Sequence, residues 1–479
     1  MDDLDSRAAK ILDLETKRRK KKPAADTLDA RLATCFATDV GNSERLHARH
    51  GKDLRFCFDF GKWLVWDGSR WAIDRNGDAT EIAKVTANAI LNEAATLEDL
   101  DAKRKLAQWS FRSQARERLN AMLALSQPPL SVCHEQLDGY PWLLNVQNGT
   151  VDLRTGQLGK ADPAQLLTKA APVAFLPGQT NPEWEAFLSQ IFAGDQDLIH
   201  FVQKAAGYSL TGLDQEECFF VLYGSGRNGK STLVETLSTL LGTDYAQQAT
   251  PDLVMQRKHA SHPTELAVLR GARLVASVET GKSKRLNEPL IKSMTGGDRI
   301  RANFMRQDTF EFRPEFKLWL STNHKPVITG TDLGIWRRIR LIPFAVQIPE
   351  AECDHELKSR LRTPTALSGI LNWAVQGCLD WQREGLKPPA SVANATQAYR
   401  EEMDMLADWM AECCVLAPGA AAMAGELYRS YVRWCEGAGE HPETHRAFGL
   451  QLIQRGYERK RGNMGFCYLG IELKDSYSN

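Results

Sequence analysis

Hydrophobic positions change their spacing several times along the chain, and each change marks a different kind of element. Two aromatic-rich runs, Phe56-Cys57-Phe58-Asp59-Phe60 and Trp63-Leu64-Val65-Trp66, are followed by the turn dipeptides Asp67-Gly68 and Asn76-Gly77. Short apolar runs closed by such dipeptides predict a small hairpin unit over 55–75. Residues 79–126 lack turn residues and carry helical spacing. A second hairpin is predicted where Asn148-Gly149 separates Leu143-Leu144-Asn145-Val146 from Thr150-Val151-Asp152-Leu153. Pro177, Gly178 and Pro182 read as a linker near residue 180, and helices resume at 183–206. Residues 218–344 then alternate strand-like and helical pieces, the pattern of an α/β domain around a largely parallel sheet. Pro388-Pro389 reads as a further boundary. Residues 397–479 are mainly helical, with Gly465–Ile471 as one final strand, and no internal repeat is present.

The resulting division is a leader over 1–40, a mixed α/β unit over 41–180, a helical collar with the α/β core over 181–388, and a helical C-terminal unit over 389–479. A chain of 479 residues is too long for one ordinary core, in keeping with several domains. Lys plus Arg, 60, equals Asp plus Glu, 60, so any surface for a polyanion is a local patch. One such patch is the run Lys17-Arg18-Arg19-Lys20-Lys21-Lys22, either a solvated leader or a non-specific nucleic-acid arm. The ten cysteines form no Cys-x-x-Cys pair, and Cys413–Cys414 are adjacent, which disfavours a zinc site and points to a reduced, cytoplasmic protein. No apolar run approaches the ~18 residues of a membrane span, and no signal-peptide stretch opens the chain.

The strongest chemistry-bearing signal follows Phe219-Phe220-Val221-Leu222-Tyr223. It is Gly224-Ser225-Gly226-Arg227-Asn228-Gly229-Lys230-Ser231, with Thr232-Leu233-Val234-Glu235 opening a helix. A strand, a G-x-x-x-x-G-K-S loop and a helix in that order is a phosphate-binding loop. Glycines let backbone N–H groups turn inward, and the helix N-terminus favours negative charge. Lys230 would reach the β- and γ-phosphates of ATP, and the Ser231 hydroxyl would ligate Mg2+. A carboxylate for that ion is expected at the end of a second buried strand, where Arg273-Leu274-Val275-Ala276-Ser277-Val278 ends in Glu279. Thr280 follows instead of a second acid, so the water-activating residue stays open; Glu279 is otherwise an ordinary strand-end acid. A third strand, Phe316–Thr322, ends in Asn323, which reads as a γ-phosphate sensor or as turn chemistry. Arg337 and Arg338 read equally as charge stabilisers for phosphoryl transfer or as a solvated face.

In this order the stretches Gly224–Ser231, Arg273–Glu279, Lys292–Ile300, Lys317–Pro326 and Gly334–Phe344 resemble superfamily 3 helicases. The likeness is to the branch found in poxvirus, phage and satellite-phage primase-helicases. Trp63–Gly68, Asn145–Gly156 and Gly207–Gly212 resemble the domain preceding the motor in that family. The resemblance implies a variant AAA+ fold, assembly into rings, typically hexamers, and ATP at each interface. It implies that Lys230 and Glu279 act on the nucleotide in cis with Asn323 as sensor, and that Arg337 or Arg338 acts from the neighbouring subunit. It also implies a channel hairpin that grips DNA, here Arg299–Phe310. Arg301 and Arg306 are its phosphate-contact candidates, and Phe304 is a stacking candidate or a core residue. About 40 residues precede the similarity, too few for a primase domain.

Residues 425–475 read as helix, turn, helix and strand, with Arg446 on the second helix and Arg455, Arg459, Lys460 and Arg461 after it. That order and charge fit a winged helix on DNA or a purely structural unit. The combined expectation is an ATP-dependent ring helicase acting in replication of a phage, prophage or satellite element. Its partners would be single-stranded and forked DNA and a separate primase or initiator. The rival expectations are an origin-binding initiator that uses ATP only to assemble, and a primase-helicase with primer synthesis.

Overall fold

The computed structural model describes residues 27–256, 263–279, 284–303, 309–328, 333–438, 442–462 and 465–474. Thr27 and Thr38 cap the first two helices, α1 (Leu28–Leu32) and α2 (Asp39–His50), each accepting a backbone N–H in the first turn. β1 (Leu54–Cys57), β2 (Lys62–Trp66) and β3 (Trp71–Ile73) form an antiparallel meander. Beside it pack α3 (Asp78–Thr96) and α5 (Arg116–Ser126), and α4 (Leu100–Ser113) packs on α3. Arg45, fully buried, braces this bundle. Its Nε donates to Glu93 at 2.6 Å and its other nitrogens donate to the carbonyls of Leu32, Cys35 and Phe36. A buried charge is tolerable when paired and saturated in this way.

β4 (Leu143–Val146), β5 (Gly149–Asp152) and β6 (Gln157–Gly159) form a second antiparallel meander, of which the sequence predicted the β4–β5 hairpin. Its Leu144, Val146, Val151 and Leu153 lie in the same core as the strands after residue 218, although the sequence groups them with the unit ending at 180. The prolines near 180 do not make a linker. Pro182 opens α6 (Pro182–Ile191), where a missing N–H is harmless, and Asn181 caps that helix. α7 (Gln196–Ser209) follows.

The next segment holds β7 (Phe219–Tyr223), α8 (Lys230–Tyr245), β8 (Ala246–Ala249), α9 (Pro263–Ala267), β9 (Leu274–Glu279) and α10 (Glu288–Thr295). The hairpin β10 (Ile300–Ala302) and β11 (Phe310–Phe312) comes next, then β12 (Lys317–Thr322), α11 (Leu333–Trp336) and β13 (Ile339–Pro343). One five-stranded sheet runs in the order β13-β7-β12-β9-β8, and every neighbouring pair is parallel. Its inner strands are covered on both faces, which is why they read as unbroken apolar runs. In β7, Phe220 and Leu222 enter one core while Phe219 and Val221 enter the other.

α12 (Leu357–Leu361), α13 (Pro364–Glu384) and α14 (Ala390–Glu402) complete this body. α13 crosses α7 where Gly207 meets Gly377. A Cβ on Gly207 would lie 2.1 Å from Cys378 N, and one on Gly377 2.1 Å from Gln203 O, so only glycine permits the approach. α14 packs on β13, with Leu341 N donating to Thr396 Oγ1 at 3.1 Å and Tyr399 buried in the core beneath the sheet. The change of core therefore falls between Met403 and Leu406, not at the expected boundary of 388.

The third core belongs to α15 (Met405–Cys413), β14 (Cys414–Met423), α16 (Ala424–Ala438), α17 (His445–Gln454), β15 (Arg459–Gly462) and β16 (Gly465–Leu473). The strands pair antiparallel in the order β14-β16-β15. The sequence reading contains only the last of these strands, because β14 includes the weak strand formers Ala417-Pro418-Gly419-Ala420. Among the described residues no helix is long and apolar enough to cross a membrane.

Candidate phosphate-binding site

The loop from Gly224 to Gly229 joins the C-terminal end of β7 to the N-terminus of α8. Gly226 and Gly229 adopt φ of 85° and 83°, and Arg227 between them is also left-handed at 48°. A Cβ on Gly224 would meet Phe344 O at 2.3 Å, and one on Gly229 would meet Ile191 Cγ2 at 2.4 Å. The glycines therefore answer both backbone conformation and packing. The segment after β13 lies along the loop: Phe344 O accepts from Asn228 Nδ2 at 3.4 Å, and Ile348 N donates to Arg227 O at 2.9 Å. Gln347 Nε2 donates to Ser225 Oγ at 2.6 Å, and exposed Arg227 pairs with Glu350 at 3.1 Å. Gln347 is absent from the sequence-predicted set; nothing in its local sequence marks it.

Lys230 is buried and curls back over its own loop. Its ammonium donates to Gly224 O and, at 3.1 Å, to Asn228 Oδ1. Both acceptors are neutral, and burial pushes its pKa down to about 8. A buried cation held by neutral groups at a helix N-terminus suits an arriving anion. Ser231 is exposed and Thr232 half-buried in the first turn of α8.

Sheet register brings the other candidates to this edge. Thr322 of β12 pairs with Tyr223 of β7 on one side and with Glu279 of β9 on the other, while Pro343 of β13 pairs with Tyr223. Glu279 is therefore two strands, about 10 Å, from the strand that launches the loop; its side chain lies outside the described set. Asn323, exposed, directly follows Thr322, whose carbonyl faces Gly224 N at 3.4 Å.

Arg337 and Arg338 are not at this edge. Ile339 pairs with Phe219, and Phe219 N donates to Arg338 O at 2.9 Å, so both arginines sit at the opposite end of the sheet. Five strand residues separate the two ends, about 16 Å. Both reach the carboxylate of Glu217, at 2.7 and 3.2 Å, yet their exposures differ: 63% for the Arg337 side chain and 10% for Arg338. Arg338 also donates to Thr295 Oγ1 at 3.1 Å and Gly334 O at 2.7 Å.

Two strand-opening cations define the far end of the sheet. Arg273 donates to Leu210 O and Leu143 O, each at 2.6 Å. Lys317 donates to Glu315 O at 3.0 Å and Thr211 O at 2.5 Å, above the Tyr208 ring. Leu210 caps the C-terminus of α7 and Thr211 follows it, where helix carbonyls lack partners and favour cations. Sequence reading takes both residues as parts of strand motifs; this anchoring needs the fold.

The hairpin β10–β11 carries Arg301, exposed and paired with Glu311 at 3.1 Å across the strands. Phe304 and Arg306 lie outside the described residues. Arg270 stands between two aromatic rings, 5.5 Å from that of Phe60 on the first meander and 5.3 Å from that of Phe310 on the hairpin. In the C-terminal unit Arg446 and Arg459 line one cavity of about 320 Å3 with His445 and Tyr468. The Arg459 guanidinium lies 3.8 Å from the Phe466 ring centroid.

Residues 43–193 match the family model described as D5 N terminal like, and residues 222–338 match a family of unknown function. A candidate helicase of Acanthamoeba polyphaga mimivirus, L207/L206, is 29% identical over 322 residues, covering 62% of this chain and 33% of that protein. A candidate helicase of Frog virus 3, 022R, is 26% identical over 284 residues, covering 55% of this chain and 29% of that protein. A candidate primase of African swine fever virus, C962R, is 24% identical over 333 residues, covering 63% and 34%. The chain thus spans about a third of the length of these curated relatives. Among solved structures, the apo NrS-1 C terminal region matches with a TM-score of 0.52 at 10% identity, covering 90% of this chain and 99% of that one. That likeness speaks to the mixed α/β fold.

Proposed function

We propose that this chain, a relative of the viral primase-helicase-type proteins, is an ATP-dependent DNA helicase motor of superfamily 3 that works as a ring, typically a hexamer, in replication. The single observation that carries this reading is the loop itself. Buried Lys230, whose acceptors among the described residues are the neutral Gly224 O and Asn228 Oδ1, stands at a helix N-terminus on the sheet edge where Glu279 and Asn323 also emerge. The strand order β13-β7-β12-β9-β8 supports an AAA+ core.

The residues present suit ATP with Mg2+. Lys230 and the loop N–H groups would hold the phosphates, and Ser231 and Glu279 would hold the ion. Bound ATP supplies the phosphoryl bond whose hydrolysis drives movement. The chain's own residues then divide the work. Lys230 would neutralise charge on the phosphates, and Asn323 would read the γ-position. Arg337, at the far sheet end, is too distant from its own loop and is exposed to a neighbour. In a closed head-to-tail ring, unlike faces meet, so Arg337 would complete the adjoining site. Arg338, buried and saturated with hydrogen bonds, holds the α11 turn to Glu217 and Thr295.

DNA would meet the chain at Arg301, together with Phe304 and Arg306, and at the C-terminal unit. The helix, strand, helix, helix, two-strand order of that unit is that of a winged helix, with Arg446 and Arg459 facing one cavity. ATP turnover by the wild type and its absence in Lys230→Ala test the reading. Equal turnover in both overturns it.

A further inference from the structure

The helices of the first unit carry a charged surface that the motor does not use. After the acids Glu98, Asp99 and Asp101 at the start of α4, the stretch 102–116 contains Lys103, Arg104, Lys105, Arg112 and Arg116 and no acid. α4 buries Leu106, Ala107, Trp109, Ser110 and Ser113 against its neighbours. The opposite face therefore holds Arg104 and Arg112, two turns apart, with Lys105 beside them, and all three are exposed. Arg104 and Arg112 stand about 12 Å apart along the helix. Exposed Arg116 continues the ridge at the start of α5, where Glu117 is the nearest acid in sequence. None of these five cations forms an ion pair with a described residue. Arg118, by contrast, is neutralised by Asp39 at 3.0 Å and stacks on Trp109. Unneutralised like charges on one face repel one another, and that repulsion is relieved only by a polyanion or salt.

We propose that this ridge holds the phosphate backbone of duplex nucleic acid, the unopened arm of a fork. The inference rests on the helicase reading above for its substrate, but not on ATP chemistry. Among residues 102–116 themselves no aromatic ring is exposed, which favours a duplex over a single strand at this face. Single-strand grooves interleave cations with rings on which bases stack, whereas a duplex offers a convex ridge only phosphates. On the ridge the one aromatic is Phe111, which is half-buried. The interaction is independent of sequence, because cations on phosphates carry no base readout.

The test uses full-length protein, a blunt fluorescent DNA duplex and a single-stranded oligothymidine. It compares the wild type with Arg104→Ala/Lys105→Ala/Arg112→Ala/Arg116→Ala, each alone and in an Arg446→Ala/Arg459→Ala background, so that the C-terminal unit does not mask the ridge. Alanine keeps helix propensity, so circular dichroism should not change. The expected result is duplex affinity lower by about tenfold or more, with a salt slope shallower by ~0.9 for each phosphate no longer neutralised. Oligothymidine affinity and basal ATP turnover should be unchanged. Duplex affinity and slope equal to the wild type overturn the proposal, as does a wild type with no duplex affinity at low salt. Equal falls in affinity on both DNAs overturn the duplex assignment. Failure of the helicase reading is separate: it appears as a wild type without ATP turnover, whatever the ridge does.

Discussion

The ammonium of Lys230 donates to the side-chain oxygen of Asn228 at 3.1 Å, and Asn228 in turn donates to Phe344 O. The loop is thus held from the strand beyond β7, and its lysine waits folded and desolvated. Desolvation lowers the Lys230 pKa to about 8. Phosphate oxygens would favour the charged form and raise it again. Above about pH 8 the unliganded amine is neutral while the bound one stays protonated, so binding takes up a proton. ATP affinity should therefore fall between about pH 7 and about pH 10. Calorimetry in two buffers of different ionisation heat measures this. Constant affinity with no proton uptake would count against phosphate binding by Lys230.

The two arginines should separate by phenotype. Arg337→Ala should leave folding and nucleotide binding intact while hydrolysis drops by ~10³-fold, the scale of an arginine supplied in trans. Mixing its subunits with Lys230→Ala subunits should restore some turnover once exchange is verified. Arg338→Ala should instead lose about 2 kcal/mol of stability, since a buried donor with three partners is removed. Thermal unfolding of both variants checks this; equal melting with equal hydrolysis loss would erase the distinction.

Arg301 is exposed on its hairpin, and its ion-pair partner among the described residues is Glu311. A surface ion pair contributes little to folding, so Arg301→Ala should fold normally. Combined with Arg306→Ala it should weaken oligothymidine binding and reduce the salt slope by ~0.7 per phosphate released, with basal ATP turnover retained. An unchanged slope would remove the hairpin from the DNA path.

Arg446→Ala/Arg459→Ala should lower duplex affinity without unfolding the C-terminal unit, because both side chains lie outside the core of Trp409, Tyr431 and Phe448. Removing the Arg459 cation from the face of Phe466 should destabilise by only about 0.5–1 kcal/mol. Deleting 404–479 makes the sharper comparison. The body around the parallel sheet closes at Met403, so basal ATP turnover should survive. A cut at 389 should fail, because it removes α14 and Tyr399 from under β13.

Local features are legible in the order of the residues. Asp67-Gly68 marks its hairpin because Gly68 takes a φ of 100° that few residues tolerate, whereas the second hairpin turns one residue earlier than Asn148-Gly149, at Gln147-Asn148, with Gly149 already paired to Val146 in β5. The loop from Gly224 to Ser231 is legible because strand, glycines, lysine and helix are contiguous. Strands β7, β9 and β12 show as apolar runs because both their faces are buried. The tertiary structure alone decided which elements share a core. It joined β4–β6 and α14 to the parallel sheet, and it turned Pro182 from a supposed linker into a helix start. It also distinguished Arg337 from Arg338, adjacent in sequence but opposite in exposure. It assigned Arg273 and Lys317 to the end of α7 and brought Arg446 beside Arg459. The physical reason is range. Turn geometry and periodicity are written within a few residues, whereas burial and charge pairing depend on partners tens to hundreds of residues away.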